Sequence, residues 1–73
     1  MSKTFAVLYI YDLLRNHQNF KLKDIVNLFQ CSSRTASRYI ADLKEYFKEF
    51  NLPYDIQYDA GEKTFKLIKI EVE

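Results

Sequence analysis

Five apolar residues at steps of four, three, four and three, Ala36, Ile40, Leu43, Phe47 and Phe50, constrain this chain more than any other feature. The spacing draws one apolar stripe down a helix over about 33–50, and a stripe of that length needs a core to lie on. At about 100° per residue, Arg34 and Arg38 fall roughly opposite it, with Thr35 and Ser37 on their flanks. One side of the helix asks for burial. The other offers two guanidinium groups framed by hydroxyls. Arginines at i and i+4 also occur on ordinary solvated helix surfaces, where they repel slightly. The pair alone does not separate a solvated face from a binding one.

The preceding residues narrow the choice. Ser32 and Ser33 stand where a helix start wants an N-cap. Leu22, Ile25, Val26 and Phe29 are spaced for a short helix over about 22–29, with Gln30 and Cys31 as a tight link. Lys21 occupies that helix's cap position, which suits Ser or Thr better, so Asn19 is expected to serve. Two helices joined by a three- or four-residue turn, the second presenting Arg and Ser/Thr, have the shape of a DNA-binding helix-turn-helix.

Residues of about 4–16 read as a first helix, with Ala6, Val7, Ile10, Leu13 and Leu14 on one face and Thr4 or Ser2 as its cap. Phe5, Leu8 and Tyr9 fall on another face and give more apolar surface than one small core needs. Two readings stay open. Phe5 and Tyr9 pack beneath the C-terminal strands, or Phe5, Leu8 and Tyr9 form a homodimer or partner surface. Phe20 and Lys21 suit a very short strand between helices 1 and 2. Asn51, Leu52 and Pro53 stop the long helix. From Tyr54 the period becomes two: Tyr54, Ile56 and Tyr58 alternate with polar residues, 60–63 form a turn with Gly61 free to take positive φ, and 64–70 return. The expected fold is α+β: one domain over 1–73, three helices followed by a two-stranded β-hairpin wing over about 54–70, a winged helix-turn-helix.

Composition bounds the function. Seventy-three residues allow one domain, and 6 Tyr with 6 Phe supply large side chains to a small core. A single Cys forms no internal disulfide, which points to a reducing, cytoplasmic setting. Cys31 reads more readily as a small apolar plug than as a redox switch. No run approaches the ~18 apolar residues of a membrane span. His17 has no ligand partner at metal-binding spacing. Without a phosphate loop, a paired-carboxylate cleft or a nucleophile beside a base, the chain reads as no enzyme, with no cofactor and no small-molecule site. The net charge of +1 is low for a nucleic-acid binder, but residues 1–43 carry six basic against three acidic residues, and 44–73 carry five against seven.

The run LFQCSSRTASRYIADL resembles the DeoR-type and related regulators, the HTH type 11 kind that also heads WYL-type regulators. Ile25, Val26, Phe29, Ser32, Arg34, Thr35, Arg38, Ile40 and Leu43 match that pattern. The tail LPYDIQYDAGEKTFKLI is similar to the family's wing, and the likeness covers about residues 4–68. Cys31 stands where Val is usual, Ala36 where Ile is, and Tyr39 where Asp is. The resemblance implies sequence-specific binding of double-stranded DNA and transcription regulation. The third helix would enter the major groove, with Arg34 and Arg38 forking to guanine O6 and N7. Ser32, Ser33, Thr35 and Ser37 would donate to phosphates or base edges, Lys21 and Lys23 would meet the backbone, Tyr39 would reach a phosphate, and Lys63 of the wing would reach an adjacent groove, with Lys66 a weaker candidate. A sensing domain normally follows in this family, so the chain is expected to be either the N-terminal part of a larger regulator or a small stand-alone one. Two other readings remain: a winged-helix protein–protein interaction module, and a phage or plasmid accessory DNA-binding factor.

Overall fold

The computed structural model describes residues 3–70. Three helices, α1 (Lys3–Arg15), α2 (Leu22–Phe29) and α3 (Ser33–Glu49), precede two strands, β1 (Tyr54–Asp59) and β2 (Thr64–Lys69). The strands pair antiparallel in one two-stranded sheet. This is the winged helix-turn-helix layout that the periodicities imply.

The helix starts depart from expectation in two places. Thr4 lies inside α1 and does not cap it; the alternative cap, Ser2, lies outside the described residues, as do 71–73. Asn19 does not cap α2. Asp24 does: its carboxylate accepts the N–H of Lys21 at 2.9 Å. An ammonium has no lone pair, so the acid three residues on takes over the task. At α3 the expected cap forms. Ser32 Oγ accepts the N–H of Thr35 at 3.1 Å, and the same hydroxyl donates to Thr35 Oγ1 at 3.0 Å.

The helix ends share one solution. Gln18 N–H reaches back to Leu13 C=O, Cys31 to Val26 and Leu52 to Phe47, at 2.9, 3.2 and 2.8 Å. Each six-residue closure needs a residue of positive φ, supplied by His17 (57°), Gln30 (50°) and Asn51 (52°). The hairpin turn follows the same rule. Gly61, expected to use its freedom to take positive φ, does not; Lys63 takes it instead, at 59°. Gly61 is instead held by Asp59, whose Oδ1 accepts the N–H groups of Gly61 at 2.9 Å and Glu62 at 3.2 Å. A Cβ on Gly61 would stand 3.3 Å from that oxygen, a close fit.

The core sits where the helices and the hairpin meet. Ala6, Ile10 and Leu14 of α1, Ile25 of α2, Ala36, Ile40, Leu43 and Phe47 of α3, and Ile56 of β1 are buried. Phe47 is the hub, with ring centroids 6.0 Å from Tyr11 and 5.8 Å from Tyr54. Cys31 is half-buried and packs against the core. The short strand is present as a bridge: Phe20 and Phe65 exchange two backbone hydrogen bonds, at 3.3 and 2.8 Å, and their rings stack. Arg15 ties α1 to β1 by donating to the Tyr54 hydroxyl at 2.5 Å, with its guanidinium 5.1 Å from the Tyr54 ring. That hydrogen bond favours the charged guanidinium and raises its pKa above an already high ordinary value.

Two apolar assignments are corrected. Phe50 is not part of the buried stripe: α3 ends at Glu49, and Phe50 is 64% exposed, resting on Tyr46 with centroids 5.2 Å apart. Phe5 and Tyr9 do not pack beneath the strands. Phe5 is 62% exposed, and Tyr9 meets Phe29 of α2 edge-on at 5.6 Å. Both point away from the Ala6, Ile10 and Leu14 face that fills the core, so the hairpin is met by Phe20 instead.

Candidate nucleic-acid interface

α3 carries its polar side chains outward because its apolar period commits the inner face. Arg34, Ser37 and Arg38 are all exposed, on adjoining turns of the outer face, and Ser33 is exposed at the first helical position. Among the described residues the ion pair is Lys3–Asp42, at 2.9 Å. Neither arginine is therefore neutralised by a carboxylate of its own, and both fork-shaped donor sets face solvent.

The other sequence-derived residues divide. Ser32 and Thr35 are joined to one another at the cap, with the Ser32 proton and one of its lone pairs in use. Thr35 is half-buried. These two hydroxyls hold the start of the helix before they can serve any ligand. Tyr39 is half-buried and packs against the core. Lys21 and Lys23 are exposed at the start of α2, which packs on α3. Lys63 is exposed in the hairpin turn and Lys66 is half-buried in β2. The structure thus gathers Ser33, Arg34, Ser37 and Arg38 on one helix face. It places Lys21 and Lys23 on the neighbouring helix and Lys63 on a separate projection.

Two further cations are not among the residues that the spacing singles out. Lys44 and Lys48 are exposed on α3 and line a groove of about 370 Å³ against β1, with Phe47, Leu52, Tyr54 and Asp55 among its walls. The i and i+4 spacing of the pair was the available signal. A second groove, of about 280 Å³, runs between α1 and α3, lined by Val7, Leu8, Tyr11, Leu43 and Tyr46. It is almost wholly apolar, with Leu8 and Tyr46 half-exposed along its walls. Among the described residues no group of three or more His, Cys, Asp or Glu could hold a metal ion, and no helix is long and apolar enough to cross a membrane.

Residues 6–61 fit the family model described as an HTH domain, from the first buried residue of α1 to the hairpin turn. No curated protein and no solved structure matches the chain.

Proposed function

From the premise that this chain belongs to the HTH domain family, whose members are DNA-binding helix-turn-helix domains, we propose that it reads specific sites on double-stranded DNA and regulates transcription. The observation that carries the reading is the outer face of α3, where Arg34 and Arg38 are exposed and unneutralised at the helix that the family model includes. The N-terminal part of α3 enters the major groove, and each arginine that forks to a guanine contributes about 1–3 kcal/mol of discrimination. Ser33 and Ser37 lie beside them as short donors. Lys21 and Lys23 steady the backbone at the start of α2, and Lys63 reaches outward from the hairpin. Ser32 and Thr35 act mainly by fixing the helix start, and Tyr39, half-buried on α3, is the residue proposed to reach a phosphate. The resemblance of the 28–43 run to DeoR-type regulators supports a regulator of that kind.

One copy presents few cations, so a second copy on a second half-site would raise avidity. The outer face of α1, with Phe5, Leu8 and Tyr9, is the surface proposed to pair two copies. The same exposed apolar residues favour a second reading, a winged helix that docks protein.

Selection from a random duplex pool separates the two, with an Arg34→Ala/Arg38→Ala variant run in parallel. The DNA reading expects the native chain alone to enrich a defined site. Equal, weak, salt-sensitive binding by both proteins would remove base readout and leave the protein-docking reading.

A further inference from the structure

Three segments that lie apart in the sequence meet at the groove of about 370 Å³ between α3 and the root of the hairpin: Lys44 with Lys48, the 51–55 stretch, and Ile70. Its size falls within the ~300–1,000 Å³ of clefts that hold small molecules. Its walls are fixed by bonds of the fold itself. Leu52 is held by its N–H on Phe47 C=O at 2.8 Å, and Ile70 by its N–H on Pro53 C=O at 2.9 Å. Tyr54 is pinned from two sides, by the Phe47 ring edge-on at 5.8 Å and by Arg15 on its hydroxyl. A wall already in place costs a ligand little ordering. Ile70 stays 44% exposed there, an apolar side chain set in position and open to water.

Charge is divided across the groove. Lys44 and Lys48 stand one turn apart on the α3 side, both exposed, and among the described residues neither is in an ion pair. Their stems are apolar and their ammonium groups are compact charges. Asp55 stands on the β1 side, half-buried, with one carboxylate oxygen accepting the N–H of Ile56 at 2.8 Å. That bond keeps the carboxylate at its wall. Glu45 lines an adjoining groove with Asp55 and the same two lysines. An anionic group is therefore drawn to the lysine side and repelled from the strand side. Leu52, Tyr54 and Ile70 are left for an apolar body.

We propose that this groove binds a small amphipathic organic anion, an aryl or alkyl carboxylate or sulfonate, with its head between Lys44 and Lys48 and its body on Leu52, Tyr54 and Ile70. The site does not depend on what the outer face of α3 reads. An acidic peptide fits it less well, because carboxylates repeated along a chain would run against Asp55 and Glu45.

The test uses two probes that share one apolar body. Anilinonaphthalenesulfonate carries an anionic head and phenylnaphthylamine does not. Each is titrated into the native chain while amide shifts are followed by NMR. The sulfonate is expected to move the amides of 44–55 and Ile70, and to bind about tenfold more tightly than the neutral probe. Lys44→Gln/Lys48→Gln should remove that advantage. Asp55→Asn keeps an oxygen for the Ile56 N–H and should tighten sulfonate binding by a smaller factor. Shifts confined to the apolar groove between α1 and α3, equal binding of the two probes, or native sulfonate affinity in the lysine variant would each overturn the proposal. Weaker sulfonate binding by Asp55→Asn would overturn the orientation. Displacement of the sulfonate by a hexaglutamate peptide and not by decanoate would also overturn the proposal, in favour of an acidic peptide partner.

Discussion

His17, Gln30, Asn51 and Lys63 hold positive φ in a chain with one glycine, and that glycine does not. Each such residue other than glycine carries a cost of about 1–2 kcal/mol, offset by the carbonyls it lets the helix or turn satisfy. Gln30→Gly should therefore raise stability by about 0.5 kcal/mol after the extra freedom of glycine in the unfolded chain is subtracted; urea unfolding measures it. Asp59→Ala should lower stability by about 1 kcal/mol, since two N–H groups of the turn lose their shared acceptor. These positions mark the edge of what the chain disclosed in advance. Glycine is the usual sign of a left-handed cap, and only Asn51, followed by Pro53, gave a substitute sign. His17 and Gln30 gave none, because their conformation is imposed by the helices packing on either side.

At the scale of elements, α3 was the most legible and α1 the least. The 4-3-4-3 stripe located the buried face of α3 because a helix of that length repeats its period often enough to be unambiguous. It failed only at Phe50, where the helix stops and the period no longer applies. α1 carries apolar residues nearly all round; periodicity separated its core face, Ala6–Ile10–Leu14, from the Phe5–Leu8–Tyr9 face, but could not tell what the second face meets. The outer-face residues of α3 were legible for the same reason as the stripe, whereas the groove that Lys44 and Lys48 line against β1 depends on residues distant in sequence. Two measurements test α3 itself. Phe47→Ala should cost about 3–5 kcal/mol, a large share of the roughly 4–11 kcal/mol expected for a domain this size, and thermal unfolding should show the native baseline shortened or gone. Ser32→Ala should cost about 1 kcal/mol through the lost cap.

For the molecule as a whole, the exposed apolar residues matter more than any single contact. Phe5, Leu8, Tyr46 and Phe50 are each between 47% and 64% exposed. If two copies pair through α1, Leu8→Glu should halve the mass seen in sedimentation and weaken duplex binding while leaving the helical circular dichroism signal intact. An unchanged mass would remove the pairing. Arg34→Ala/Arg38→Ala should abolish site enrichment and leave the melting temperature within a few degrees of native, since neither side chain contributes to the core.

The hairpin is tethered twice, by the Phe20–Phe65 bridge at one end and by Arg15 on Tyr54 at the other, and neither tether uses an outward residue of α3. The scaffold and the outer residues of its long helix are therefore separable by inheritance. Substitutions at Ser33, Arg34, Ser37 and Arg38 could accumulate without passing through an unfolded ancestor. If those four side chains read the bases, a lineage built on this domain could change its address on the genome through them while the interior stayed still.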